Sequence, residues 1–374
     1  MRTIAAVATA PGEPFRIAEV ELDDLRPDEV LVDIVAVGVC HTDLSAAAGV
    51  IPYPLPGVLG HEGAGRIRAV GSAVSRVRPG DAVLLTFTSC GVCAMCRGGH
   101  PALCEHHLAW NLLGGRRPDG TSPVGWSEQP ELNSHFFGQS SFARHAIVDE
   151  RSVIRLPDGT ATDDLITYAP LGCGLQTGAG AILNVLRPRI SDTVAVAGAG
   201  AVGLAAVMAA ASRSVQTIVV VDVVPSRLRL AQELGATHTI DASREDLAAS
   251  LASITGGAGV DAGVETTGNV GVLESLIGAL AVGGTCAVIG APRAGSRAAF
   301  DVNMLLPGRT ITGVTLGDSE PETFVAELIA LHRSGRFPIE ALQRRYAFED
   351  INAAAADATS GATIKPVLVM DGDA

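Results

Sequence analysis

Lysine is almost missing from this chain: Lys365 is the only one among 374 residues, against 26 arginines. A coding preference accounts for the bias, and it singles out the one position that kept lysine. Basic residues nowhere gather into a cluster, and the formal net charge is −13. Both facts exclude nucleic acid and an acidic membrane surface as partners. Aromatic residues make up only 4% of the chain, so an adjacent pair such as Phe136 and Phe137 is a concentration. The opening stretch MRTIAAVATAPGEPF has no apolar core long enough for a signal peptide, and the expected location is cytoplasmic. Seven cysteines without a secretion signal then read as reduced, metal-binding thiols. Internal repeats, low-complexity tracts and flexible linkers are also lacking.

What is present is a chain that is 47% hydrophobic and long enough for two domains. Up to about residue 158, short β-type runs such as EVLVDIVAVGVC, GRIRAVG, DAVLLTF and SFARHAIVD are separated by Gly/Pro turns, which predicts a barrel-like, mostly antiparallel domain. From about residue 175 strands alternate with helices, the rhythm of a parallel sheet covered on both faces. The helical stretch PETFVAELIALHRSG and the terminal strand TIKPVLVM are expected to return to the first domain. Residues 193–212, TVAVAGAGAVGLAAVMAAAS, carry no charge and have the length of a membrane span. Their division into a β-run, three glycines and a small-residue helix favours a water-soluble fold instead.

The glycines Gly198, Gly200 and Gly203 form G-x-G-x-x-G between a predicted strand and a predicted helix. The first permits a tight turn, the second lets backbone approach a pyrophosphate, and the third allows close helix–strand packing. Asp222 follows Gly203 by 19 residues, at the end of the next strand. A carboxylate there accepts hydrogen bonds from ribose hydroxyls and repels a 2′-phosphate, so the motif predicts NAD rather than NADP. A glycine-rich turn of a flavodoxin-like sheet without cofactor is the alternative.

Cys90, Cys93, Cys96 and Cys104 have the spacing C-x2-C-x2-C-x7-C. Four thiolates from one loop can enclose a zinc ion tetrahedrally and leave no position for substrate, so this site reads as structural. Of the remaining cysteines, Cys40 stands in GVGVCHTDL, and Cys173 in LGCGLQTGAG, with His61 between them in GHEGAG. Two thiolates and an imidazole would make a second zinc site with an open fourth position. Glu62 beside His61 is a neighbouring or alternative ligand, and Asp43 is placed to accept the His61 N–H and fix its tautomer. Spacing alone leaves two ordinary readings open, since free cysteines are commonly buried apolar residues and lone histidines commonly make structural hydrogen bonds. Cys286 in GGTCAVIG reads as a buried strand residue.

In order and spacing, CHTD, GHEGAG, the four-cysteine loop, LGCG and GAGAVG resemble the zinc-dependent medium-chain alcohol dehydrogenases over essentially the whole chain. The resemblance implies a GroES-like catalytic domain over residues 1–174, completed by 315–374, with an inserted Rossmann NAD-binding domain over 175–314. It implies a catalytic zinc on Cys40, His61 and Cys173, a structural zinc on the four-cysteine loop, and a homo-oligomer, dimer or tetramer. HFFGQSSFA, NLLGGRRPDGTSP and LGCGLQTGAGAILNVLRP look like the aryl-alcohol branch, which implies reversible NAD-linked oxidation of benzyl-type primary alcohols to aldehydes. Geraniol-type allylic alcohol dehydrogenases share much of these stretches, and a nicotinoprotein with tightly held NAD is a further alternative. Outside the enzymes, a non-catalytic zinc-ribbon module would bind one zinc per chain rather than two.

Matching motifs carry over roles. Thr42 stands where the family takes up the alcohol proton. Ser45 replaces a histidine that in several members passes that proton on, so the relay here would run through ribose hydroxyls and water. His41 and Lys365 are expected at the pyrophosphate, Thr177 and Val202 beside the nicotinamide, and Arg227 at the adenosine ribose. Phe136 and Phe137 match pocket-wall positions, with Phe87 and Trp110 as further candidates; core packing is the alternative for these rings.

Overall fold

The five-residue strand Thr193–Ala197 leaves the sheet at Gly198, whose φ of 97° turns the chain directly into the helix Ala201–Ser212. This strand–turn–helix sits at the centre of a six-stranded parallel sheet in the computed structural model, which describes residues 1–128 and 132–370. Counted along the chain, the strand order is 3-2-1-4-5-6, built from His238–Asp241, Thr217–Asp222, Thr193–Ala197, Val260–Glu265, Leu280–Val288 and Thr310–Gly313. That is the doubly wound order of dinucleotide-binding folds. Val219, Val221, Ala195, Ala197 and Cys286 point into one core beneath Leu247, Leu251 and Leu276 of the covering helices. Cys286 is a fully buried strand residue, as expected. The uncharged stretch 193–212 is thus a strand and a helix of 12 residues, and no helix among the described residues is long and apolar enough to cross a membrane.

The chain divides into two units. The sheet above belongs to the unit formed by Gly174–Ser319 and Glu327–Pro338, and the other comprises Met1–Cys173, Glu320–Ala326 and Ile339–Ala374. Residues 371–374 of the expected returning segment lie outside the described residues. The expectation that all of 315–374 returns is corrected, because residues up to Ser319 and the segment Glu327–Pro338 group with the parallel sheet.

The β-rich unit holds a four-stranded and a seven-stranded sheet. In the larger one, Glu29–Gly38 pairs antiparallel with Gly63–Val70, His145–Asp149 and Lys365–Val369. Alternating apolar residues of Glu29–Gly38, among them Val30, Val32 and Ala36, are fully buried. Two features of this pairing position the site. Val37 lies opposite Gly63, which brings the end of one strand beside His61 and Glu62. Val367 lies opposite Gly38, so the Lys365 end of the last strand runs back to Cys40.

Candidate active site

Cys40, His61, Glu62 and Cys173 place one ligand atom each within 4.8 Å of one another. Each arrives from the end of a regular element. Cys40 follows the strand Glu29–Gly38 and caps the helix His41–Ala47. His61 and Glu62 precede the strand Gly63–Val70, and Cys173 follows the 3-10 turn Ala169–Gly172. A buried polar chain fixes these ends to each other. Gln139 Nε2 donates to the carbonyls of His61 (3.0 Å) and Thr86 (2.8 Å), and Thr86 Oγ1 donates to the carbonyl of Gly172 at 2.7 Å. Gly38 is required by close approach, since a Cβ there would lie 2.0 Å from Glu62 Oε2.

Asp43 is fully buried and accepts three N–H groups: Cys40 N at 3.0 Å, Gly60 N at 3.0 Å and His61 Nδ1 at 2.8 Å. With Nδ1 committed to a carboxylate, the His61 lone pair is on Nε2, the arrangement that metal-binding imidazoles use. His61 Nε2 is buried and has no hydrogen-bond partner among the described residues. A buried nitrogen left unpaired beside two thiols costs free energy unless a further group binds it. Zinc, which takes thiolate and imidazole ligands, fits this donor set. The electrostatics agree. The Cys173 thiol hydrogen bond, aided by Lys365 and His61, holds Cys40 well below the usual thiol range. Burial pushes His61 down, but the Asp43 carboxylate and Cys40 outweigh it and carry the imidazole up to about 10, so without a metal Nε2 holds a proton that a bound zinc would have to displace.

Lys365 corrects its sequence-based role. Its Nζ is buried and donates to both carboxylate oxygens of Glu62 at 2.9 Å and to the Val39 carbonyl at 3.3 Å. It neutralises the carboxylate beside Cys40, His61 and Cys173, and its ammonium is not free for a pyrophosphate. Thr42 Oγ1 lies 3.7 Å from Cys40 Sγ in the first turn of His41–Ala47, where exposed His41 opens the helix and Ser45 lies one turn on.

Aromatic residues gather on the His61 imidazole. Phe137 stacks on His61 with ring centres 4.3 Å apart, and Phe136 meets the same ring edge-on at 5.4 Å. Tyr53 packs edge-on against Phe136 at 5.0 Å. Phe137 has φ of 54°, a left-handed conformation unusual for a bulky side chain, and Ser152 Oγ donates to its carbonyl. Trp110 stands apart: it stacks on His106 at 4.6 Å under the Arg151 guanidinium, with no ring contact to Phe136 or Phe137 among the described residues. Sequence reasoning missed Gln139, Tyr53 and His107. The ring of His107 meets both Phe87 and Phe137, and only the pair His106–His107, which begins two residues after Cys104, hinted at it.

Cys90, Cys93, Cys96 and Cys104 form a second group of four sulfurs, with Cys93 and Cys96 at 3.4 Å and Cys90 and Cys96 at 3.8 Å. Backbone N–H groups of Val92 and Cys93 point at Cys90 Sγ, and that of His106 at Cys104 Sγ. Sulfurs cradled by amides and held beyond disulfide distance fit a four-thiolate zinc with no open position.

In the parallel-sheet unit, a Cβ at Gly203 would lie 1.8 Å from the Gly198 carbonyl, whereas a Cβ at Gly200 would meet nothing within 4 Å. The third glycine therefore serves packing, and the second leaves space at a helix N-terminus, the cradle a phosphate fills. Asp222 Oδ2 accepts Ala199 N at 2.7 Å, which ties the acidic residue to the glycine turn. Arg227 Nε is buried without a hydrogen-bond partner among the described residues. Thr177 lies on the helix Gly174–Gly180, and Gly178 of that helix lies against the Val202 carbonyl.

Comparison with known proteins matches residues 26–158 to the alcohol dehydrogenase GroES-like domain and residues 201–332 to the zinc-binding dehydrogenase family. Geraniol dehydrogenase of Castellaniella defragrans is 40% identical over 98% of this chain and 97% of its own length. Among solved structures, an alcohol dehydrogenase zinc-binding domain protein from Burkholderia ambifaria is 48% identical with a TM-score of 0.95, covering 100% of both chains. Benzyl alcohol dehydrogenase of Acinetobacter calcoaceticus is 40% identical with a TM-score of 0.94, over 99% of this chain and 100% of that one. Zinc and NAD are the cofactors of such enzymes. With its two cysteine-based metal groups and its glycine turn in place, the chain belongs to the zinc-dependent medium-chain alcohol dehydrogenases.

Proposed function

We propose that the protein oxidises aromatic primary alcohols of the benzyl type to aldehydes, reversibly, with NAD as hydride acceptor. The observation that carries this reading is the concentration of rings on a zinc ligand, with Phe136 and Phe137 both in contact with His61 in a chain poor in aromatics. Flat apolar faces beside the reacting position suit an aromatic alcohol. The likeness to benzyl alcohol dehydrogenase supports it. The equal identity to geraniol dehydrogenase supports a second reading, an allylic terpene alcohol.

Cys40, His61 and Cys173 would hold the catalytic zinc, which supplies a Lewis acid that lowers the pKa of an alcohol. Asp43 keeps the His61 tautomer that exposes Nε2. Lys365 restrains Glu62, so that a carboxylate does not compete as a fourth ligand. Thr42 receives the alcohol proton, and Ser45, which is no base near neutral pH, leaves the onward path to cofactor hydroxyls and water. Asp222 and Arg227 bind the adenosine ribose and favour NAD; a preference for NADP in steady-state kinetics would overturn that part. Val282, Phe300, Val302 and Leu306 are exposed apolar residues, and Thr310–Gly313 is an edge strand of its sheet among the described residues, which together support a homo-oligomer.

Parallel assays with benzyl alcohol and geraniol, following NADH absorbance, test the substrate. A higher kcat/KM for benzyl alcohol supports the aryl reading, and a higher value for geraniol replaces it with the allylic one.

A further inference from the structure

We propose that His107 is a specificity residue whose Nε2–H recognises an oxygen carried on the ring of an aromatic alcohol; this rests on the aryl-alcohol reading above. The argument begins with Asn111. Its Oδ1 accepts the Thr88 backbone N–H at 2.9 Å, a group that can only donate, and this fixes the orientation of the amide. Nδ2 is therefore a donor, and it faces the carbonyls of Thr88 and His107 at 3.0 Å each and His107 Nδ1 at 3.4 Å. His107 Nδ1 accepts, so the neutral ring carries its proton on Nε2. The π-helical turn Leu108–Leu113 places Asn111 four residues on, directly over His107.

Nε2–H has no hydrogen-bond partner among the described residues. The ring lies edge-on to Phe87 at 6.2 Å and to Phe137 at 6.5 Å, and Phe137 itself lies 4.3 Å from His61. The His107 ring is thus one aromatic ring removed from the His61 ring. A substituent on the ring of an aromatic alcohol stands off from its hydroxyl by a comparable span. Because Nε2–H donates and cannot accept, it selects an acceptor. Methoxybenzyl alcohols should be preferred over methylbenzyl alcohols of the same shape, and a phenolic hydroxyl should gain nothing over a methoxy oxygen. The substrate class is the ring-oxygenated benzyl alcohols.

The test is steady-state kcat/KM with the holoenzyme for 3- and 4-methylbenzyl and 3- and 4-methoxybenzyl alcohols, together with geraniol. Wild type, His107→Phe and His107→Gln are compared, with zinc content and melting temperature recorded for each. The expected result is a methoxy-over-methyl preference of roughly three- to tenfold at one ring position, the size of one neutral hydrogen bond. That ratio should collapse toward unity in His107→Phe and survive in part in His107→Gln, which keeps a donor. Wild-type oxidation of benzyl alcohols without a methoxy preference overturns the proposal alone, however the variants fold. A preference that persists in a folded, zinc-loaded His107→Phe protein also overturns it. Turnover of geraniol but of no benzyl alcohol overturns the aryl reading and this proposal together.

Discussion

Lys365 Nζ lies 2.9 Å from both carboxylate oxygens of Glu62, in a pair with almost no solvent access. The two residues are 303 positions apart in the chain and meet because the strand Lys365–Val369 runs antiparallel to Glu29–Gly38. Burial raises the Glu62 pKa and opposes the charge on Lys365, and each group is held charged by the other. Such a pair contributes little net stability, but removing one partner strands a buried charge. Lys365→Met should therefore destabilise the protein by about 3–5 kcal/mol, measured by chemical denaturation. The double variant Lys365→Met/Glu62→Gln should regain most of that loss. A Lys365→Met protein of wild-type stability but raised KM for NAD would return the lysine to the pyrophosphate.

Asp43 collects three donors, and one of them is the imidazole whose Nε2 would face the proposed zinc. Asp43→Asn keeps the size and loses the charge. Partners of this kind influence metal affinity by roughly 10–100-fold. Dialysis against a competing chelator should strip one zinc per chain from the variant faster than from wild type, while the four-cysteine site stays loaded.

Thr42 is the one hydroxyl beside Cys40 at the start of the helix His41–Ala47. Thr42→Val should lower kcat by about 100-fold or more, the scale of a lost proton acceptor, with zinc content unchanged. Ser45→His would restore a base one turn along and should shift the pH dependence of kcat. Superimposable pH–rate profiles for Ser45→His and wild type would remove this position from the relay.

His107 gives a stability test with a defined sign. Its pKa is pushed by burial from 6.5 in the unfolded chain to about 4 in the folded one. Below pH 6.5 the unfolded state therefore binds a proton that the folded state refuses, so protonation favours unfolding. The contribution is full above pH 6.5 and is lost as pH falls toward 4. Melting temperature should drop less between pH 7 and pH 5 in His107→Phe than in wild type; parallel curves would contradict this.

The grouping of Cys40, His61, Glu62 and Cys173, that of the four loop cysteines, and the glycine turn were legible in the sequence because their chemistry is local or carried by compact motifs. Gly198, with its positive φ, and Gly203, against the Gly198 carbonyl, do what the motif requires. Asp43 was legible because a ligating imidazole needs a partner for its other nitrogen. Lys365 was not, because only the antiparallel register of the last strand reveals that its ammonium ends on Glu62. Gln139 was equally hidden: nothing around it in the chain shows that its amide spans the carbonyls of His61 and Thr86. Trp110 was a further candidate for the pocket, and its ring stacks on His106 beneath the Arg151 guanidinium.

The most direct test of the catalytic centre is a zinc count per chain on purified wild type and Cys173→Ser, with NADH formation from benzyl alcohol and from geraniol followed in the same samples. Two zincs and NADH formation in wild type, against one zinc and no turnover in Cys173→Ser, is the predicted result. A single zinc in wild type, or full turnover by Cys173→Ser, would contradict the assignment of Cys40, His61 and Cys173 as the catalytic zinc site.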